Sequence, residues 1–253
     1  MGMLKLFEDV VDGVWVRDVE EVLYYGRTKY QEIAIVRVAV LGKALFIDGL
    51  HQSDAHFNVA YHEKMMDLAQ VSKADPRVLI VGAGTDSITR AVFAQWPAAH
   101  VVGVEIDEEA YRLYRKHVPE WGLPIEVAAE ADYRLYFGDA YTMNYEGFVP
   151  FDIVFFDIDI STTPGQGMPS ELLDRIKSRI VPCGFFVSQA GPLFDTDEDD
   201  GYAQYTAMLK KHFPGGTICE WARYHWCFFS ASLPAAPEEA LPSLPEKSAL
   251  GCS

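Results

Sequence analysis

An apolar run, Val78–Val81, feeds the turn Gly82-Ala83-Gly84, and 21 residues beyond Gly84 a second apolar run ends on the acid Glu105. Residues of these types at this spacing hold a nucleoside: glycines let backbone amides approach the ligand, and the acid accepts hydrogen bonds from ribose hydroxyls. The pattern suits dinucleotides and S-adenosyl compounds alike. The full Gly-x-Gly-x-x-Gly is absent, because Thr85, Asp86 and Ser87 follow Gly84. No phosphate-binding lysine loop follows, which excludes ATP hydrolysis of the P-loop kind.

Such a loop works only at the end of a strand, and the surrounding chain supplies strands in the right order. From residue 77 onward the pattern predicts strand 77–82 then helix 86–96, strand 100–105 then helix 107–117, strand 152–157 then helix 169–179, and strand 184–189 then helix 200–212. This alternation is that of a doubly wound, mostly parallel sheet with helices on both faces. Asp107-Glu108-Glu109 places acids in the first turn of a helix, where the macrodipole favours them. Before residue 57 the pattern changes. Residues 14–48 read as strands, with Gln31–Val40 rich in β-branched residues, a turn at Leu41-Gly42-Lys43 and a return over Ala44–Asp48. Residues 57–70 have helical character. The expected organisation is an N-terminal antiparallel β-domain (1–56), a nucleoside-binding catalytic domain (57–233) and a disordered tail (234–253) rich in Pro, Ala, Glu and Ser. The acidic run Asp195–Asp200 reads as a solvated loop before a helix.

The chain has 253 residues, 49% of them hydrophobic, enough for one large domain with a small appendage. Its net charge of −16 argues against nucleic acid as a partner and suits a cationic ligand such as a polyamine or a sulfonium compound. No apolar run reaches the roughly 20 residues of a membrane span, so no membrane partner is expected. The N-terminus lacks the basic and apolar regions of a signal peptide. The four cysteines show no Cys-x-x-Cys spacing. Reduced thiols in a cytoplasmic protein without a metal centre are the expectation.

Several blocks, in order, give the chain a resemblance to the spermidine synthase (polyamine aminopropyltransferase) family over roughly residues 25 to 232. They are Lys29-Tyr30-Gln31-Glu32-Ile33, and Leu50-His51-Gln52 nine residues before Tyr61-His62-Glu63. Then come Val81-Gly82-Ala83-Gly84, Val104-Glu105-Ile106-Asp107, Gly138-Asp139-Ala140 and Phe155-Phe156-Asp157, with Pro164 seven positions further on. The resemblance implies a Rossmann-like sheet of the class I methyltransferase type behind a small β-domain. It also implies a homodimer, a donor that is S-adenosylmethionine or its decarboxylated form, and a small-molecule amine as acceptor. On this basis Asp157 is the base that keeps the amine unprotonated and Tyr61 orients it. Gln31, Gln52, His62, Gly82, Gly84, Thr85, Glu105, Ile106, Asp139 and Ala140 hold the donor, and Asp159 and Tyr224 face the acceptor.

The chain departs from the family pattern where substrate is chosen. The acid of the family's glycine-rich block is Thr85 here, with Asp86 one residue late. The second acid of the family's Asp-x-x-Asp loop is Ile160, and Glu220–Trp226 stands where a pocket-closing Pro-Thr-Tyr-Pro-Ser-Gly segment is expected. These changes point to transfer of a 3-amino-3-carboxypropyl or aminopropyl group to an altered acceptor, with methylthioadenosine released. Two alternatives remain open at the level of sequence: an N-methyltransferase on the same scaffold, and a nucleoside-binding protein without catalysis.

Overall fold

The computed structural model describes residues 5–10, 13–39, 41–158, 170–192, 201–222 and 226–235. Asp159, Ile160, Pro164, Tyr224, the acidic run 195–200 and the tail from 236 lie outside the described residues.

The N-terminal part is a five-stranded antiparallel sheet in sequential order: β1 (Lys5–Val10), β2 (Gly13–Arg27), β3 (Glu32–Val38), β4 (Gly42–Ile47) and β5 (Leu50–Asp54). The β-branched run expected as a strand forms β3, whose Ile33, Ile35 and Val36 are fully buried. Helix α1 (Phe57–Asp67) follows.

The second part is built on β6 (Arg77–Val81), β7 (His100–Glu105), β8 (Asp132–Phe137), β9 (Phe151–Phe156), β10 (Ile180–Pro192), β11 (Thr217–Trp221) and β12 (Trp226–Ser232), in the spatial order β11-β12-β10-β9-β6-β7-β8. The strands from β10 to β8 pair in parallel, whereas β12 runs antiparallel to both β10 and β11. Helices α2 (Ser87–Gln95), α3 (Glu108–His117), α4 (Ile125–Glu130), α5 (Ser170–Lys177) and α6 (Gly201–His212) connect them.

The central strands read as unbroken apolar runs because both of their faces are covered. On one face Leu79, Val81, Val154 and Phe156 pack in one core with Leu173 of α5 and Tyr205 of α6. On the other, Val78, Ile80, Ile153 and Phe155 pack with Tyr61 and Met65 of α1 and Val92 of α2. A third cluster joins the two parts: Ile33, Ile35 and Leu45 of the first sheet meet Ala110, Tyr114, Val118 and Trp121 on and beyond α3.

Element ends differ from expectation for local reasons. Strand β6 stops at Val81 because Gly82 takes φ +88° and leaves the sheet. Helix α1 ends at Asp67 rather than near 70. Strand β10 is longer than 184–189, since it pairs with β9 from Ile180 and with β12 up to Pro192. Strand β8 escapes the sequence reading because it is an edge strand with no unbroken apolar run, and α4 because it buries no residue. Among the described residues no helix is long and apolar enough to cross a membrane.

Candidate functional site

The C-terminal ends of β6, β7, β8 and β9 meet at one edge of the parallel sheet, where open α/β sheets bind ligands. Three features bind the first turn to its neighbours. The amides of Gly82 and Ala83 donate to the Val104 carbonyl at 2.9 and 3.1 Å, and the Asp157 amide donates to the Val81 carbonyl at 2.8 Å. A Cβ on Gly82 would stand 2.3 Å from the Asp157 carbonyl oxygen. Only glycine allows this close approach at a positive φ.

Glu105 closes the turn from the side. Its two carboxylate oxygens accept from the amides of Gly84 and Asp107, each at 2.8 Å. Burial raises the Glu105 pKa above the ordinary glutamate value, against the opposing pull of the Asp107 and Gly84 amides. Each carboxylate oxygen has a second lone pair, so both can accept one further hydrogen bond. Ile106 is exposed beside it. The 138–140 turn is drawn in by the Gly138 amide, which donates to the Glu105 carbonyl at 2.8 Å. In that turn the Asp139 carboxylate accepts from the Tyr141 amide at 2.8 Å, and Ala140 is buried.

Asp157 follows the last residue of β9 and meets α1. The Tyr61 hydroxyl donates to Asp157 Oδ1 at 2.7 Å. The Tyr61 ring is fixed by Phe57 and Phe228, with centroids at 5.5 and 5.0 Å. His62 Nε2 lies 3.8 Å from Asp157 Oδ2, and His62 Nδ1 lies 2.7 Å from the Asn58 carbonyl oxygen. A carbonyl can only accept, so Nδ1 carries a proton. In the neutral ring Nε2 then turns its lone pair toward a carboxylate. His62, expected with the donor residues, thus stands beside Asp157.

The structure therefore brings together Gly82, Gly84, Thr85, Glu105, Ile106, Asp139, Ala140 and Asp157 at one sheet edge, with Tyr61 and His62 against Asp157. Gln31 joins through a hydrogen bond from Nε2 to Asp107 Oδ2 at 3.3 Å. Gln52, half-buried in β5, makes no hydrogen bond to the others among the described residues. Asp159 and Tyr224 fall outside the described residues.

Asp86 sits in the left-handed region at φ +65° and turns inward. It is 1% exposed and accepts from the hydroxyls of Tyr111 at 2.5 Å and Tyr133 at 2.6 Å, with Arg115 Nη1 at 3.9 Å. Burial, and then Asp86 itself, push both tyrosine pKa values up, so both remain donors. Asp86 is thus committed to the protein interior, while the neighbouring Thr85 is half-buried and its hydroxyl pairs with that of Ser87 at 2.6 Å. Sequence reasoning also missed Gln189, which donates to the Ile158 carbonyl at 3.2 Å and steadies the chain leaving Asp157.

Comparison with known proteins bears on all of these residues. Residues 15–54 match the family described as spermidine synthase tetramerisation domain, and residues 58–214 match the spermine/spermidine synthase domain. The chain is 34% identical over 188 residues to a polyamine aminopropyltransferase of Aeropyrum pernix, covering 71% of this chain and 58% of that one. It is 30% identical over 234 residues to polyamine aminopropyltransferase 2 of Caldanaerobacter subterraneus subsp. tengcongensis, covering 88% and 76%. The chain thus spans less than two thirds of the Aeropyrum relative's length. Among solved structures, spermidine synthase in complex with the transition state analogue AdoDATO superimposes with a TM-score of 0.78 at 19% identity, covering 93% of this chain and 82% of that one. Spermidine synthase from Thermotoga maritima gives 0.74 at 18%, covering 93% and 81%. At such identities the two structures establish a shared fold.

Proposed function

The chain belongs to the spermine/spermidine synthase family, and from that premise we propose that it is a transferase moving an aminopropyl-type group from an S-adenosyl sulfonium donor to an amine. The observation that carries this reading is the Tyr61 hydroxyl at 2.7 Å from Asp157 Oδ1, at the sheet edge beside the Gly82 turn. Gly82, Gly84, Thr85, Glu105, Ile106, Asp139 and Ala140 form the nucleoside cradle, with Gln31 and Gln52 supplied by the first sheet. Asp159 and Tyr224 are assigned to the acceptor.

The reaction is an in-line displacement. The amine nitrogen attacks the carbon beside sulfur, the C–N bond forms, the C–S bond breaks, and methylthioadenosine leaves with the electron pair. An alkyl amine with a pKa of ~10 arrives protonated, so the protein must take its proton. Tyr61 occupies Asp157 Oδ1 and leaves Oδ2 to receive it. In the neutral tautomer, His62 Nε2 and Asp157 Oδ2 are two acceptors facing one another, an arrangement that an amine N–H between them relieves. Holding the nitrogen there also fixes its approach to the donor.

Residues 1–56 are assigned as the β-domain, 57–233 as the catalytic domain and 234–253 as the tail. The match of residues 15–54 to a tetramerisation domain supports an assembly of two or more copies.

The inward turn of Asp86 favours a second reading of the donor. With neutral Thr85 at the loop and Asp86 committed to Tyr111 and Tyr133, no acid from this loop meets an aminopropyl ammonium and none repels a carboxylate. Intact S-adenosylmethionine, donating a 3-amino-3-carboxypropyl group, is then the donor. Incubation with each donor and a panel of amines tests both readings. Methylthioadenosine as product supports the transferase, and the donor that yields it identifies the group moved. S-adenosylhomocysteine as product would make the protein a methyltransferase, and binding without turnover across the panel a non-catalytic nucleoside binder.

Glu105 gives this pocket a pH signature. Its pKa is raised because burial disfavours the ionised form, so the carboxyl takes up its proton at a higher pH than an ordinary glutamate. A protonated carboxyl offers fewer acceptor lone pairs to ribose hydroxyls. Methylthioadenosine affinity is therefore expected to fall on acidification, with its onset above the usual carboxylate range. Titration calorimetry across pH measures this, and Glu105→Gln should bind weakly at every pH.

A further inference from the structure

A cavity of about 400 Å³ opens between α1 and α2. His62 lines it and also stands 3.8 Å from Asp157 Oδ2, so the cavity adjoins the place assigned to the attacking amine. Ser87 lines it from α2, and its hydroxyl pairs with that of Thr85 in the glycine-rich loop at 2.6 Å. Trp121 also lines it. The segment that carries Trp121 packs on the same loop, since a Cβ on Gly122 would stand 2.7 Å from the Thr85 carbonyl oxygen.

The charged groups around this cavity are of both signs. Arg90 of α2 contributes a guanidinium, which spends one N–H on the Glu120 carbonyl and has others to offer. Glu63 and Asp67, one turn apart on α1, contribute two carboxylates. Two further features call for an acceptor. Trp121 is 3% exposed, and its Nε1, which can only donate, has no hydrogen-bond partner among the described residues. A buried donor without an acceptor is costly, and a ligand oxygen would remove that cost. Ser87 begins α2, whose first amides have no partner within the helix. Asp86, the N-cap residue, caps none of them, because its carboxylate is turned to Tyr111 and Tyr133. A cation alone would meet the acids and leave these donors idle, and an anion alone would face Glu63 and Asp67. An α-amino-acid head carries a carboxylate and an ammonium on one carbon and satisfies both sets.

We propose that this cavity receives the α-amino-acid head of an intact S-adenosyl donor, with the carboxylate held by Arg90, Trp121 Nε1 and the first turn of α2 at Ser87, and the ammonium held by Glu63. The proposal rests on the reading of the neighbouring sheet edge as a nucleoside pocket. The acid absent from residue 85 is then replaced by Glu63 from α1. A decarboxylated donor would leave Trp121 and the start of α2 without their acceptor.

The test is titration calorimetry of the 253-residue chain with three nucleosides. S-adenosylhomocysteine carries the whole head, decarboxylated S-adenosylmethionine carries the ammonium alone, and methylthioadenosine carries neither. Arg90→Gln removes a charge at an exposed position. It should weaken S-adenosylhomocysteine about tenfold and leave the other two within about twofold of wild type. Trp121→Phe should show the same selectivity. Glu63→Gln should weaken both nucleosides that carry the ammonium about tenfold and spare methylthioadenosine. An Arg90→Gln variant that binds S-adenosylhomocysteine as wild type does, or that loses all three equally, overturns the proposal. So does wild-type protein that binds methylthioadenosine at least as tightly as S-adenosylhomocysteine, a result that leaves the nucleoside pocket standing. Wild-type protein that binds none of the three sinks the nucleoside reading as well.

Discussion

Asp157→Asn is expected to lower kcat by about a thousandfold while leaving methylthioadenosine affinity within about twofold of wild type. The asparagine keeps the shape of the side chain and an oxygen for the Tyr61 hydroxyl, which donates to Oδ1 at 2.7 Å. It cannot take a proton from the attacking amine. The contacts that hold the turn are the Gly82 and Ala83 amides on Val104, the Gly84 amide on Glu105 and the Asp157 amide on Val81, and none involves the Asp157 carboxylate. Turnover and donor binding should therefore separate. Tyr61→Phe provides the scale: it deletes one hydrogen bond to a charged group and should cost about tenfold in kcat. Steady-state kinetics with calorimetry on the same preparations measures both. Parallel loss of turnover and nucleoside affinity in Asp157→Asn would make Asp157 a structural acid.

Asp86→Ala is expected to destabilise the protein by about 3 kcal/mol. The carboxylate is 1% exposed, accepts two tyrosine hydroxyls and lies near Arg115. Its removal takes the acceptor from two half-buried tyrosine hydroxyls and the nearby charge from Arg115, which keeps its hydrogen bond to the Leu123 carbonyl. The φ of +65° provides a control that separates these contacts from backbone strain. Asp86→Gly relieves the left-handed backbone but loses the same contacts, so it should also destabilise, by somewhat less than alanine. Denaturant unfolding of the two variants checks the order. A glycine variant more stable than wild type would mean that strain outweighs the network.

The parts legible in the sequence were those whose chemistry is local. That Gly82, Gly84 and Glu105 meet at one strand end is legible because a strand, a glycine turn and the acid ending the next strand suffice to place them. The central strands were legible because burial on both faces leaves continuous apolar runs. Asp157 and Tyr61 are 96 residues apart and met in the reading only through a family likeness; their hydrogen bond is a product of the fold. Asp86 was visible as an acid one place late, but its inward direction depends on a backbone angle and two tyrosines 25 and 47 residues away. Thr28 and Tyr114 carried no signal. A threonine after a strand and a tyrosine on a helix are ordinary; the Thr28 contact with Asp107 and the place of Tyr114 between the first sheet and α3 are products of the fold. Strand β8 stayed hidden because an edge strand needs no apolar run.

The glycine turn divides into positions open to variation and positions closed to it. At residue 82 any side chain collides with the Asp157 carbonyl, so the turn after β6 and the end of β9 are joined at their backbones. At residue 84 a Cβ would meet nothing within 4 Å, and the cost there is conformational alone. Residue 85 is half-buried and held only through the Ser87 hydroxyl among the described hydrogen bonds, so a change of charge there meets less resistance from the fold than any side chain at 82.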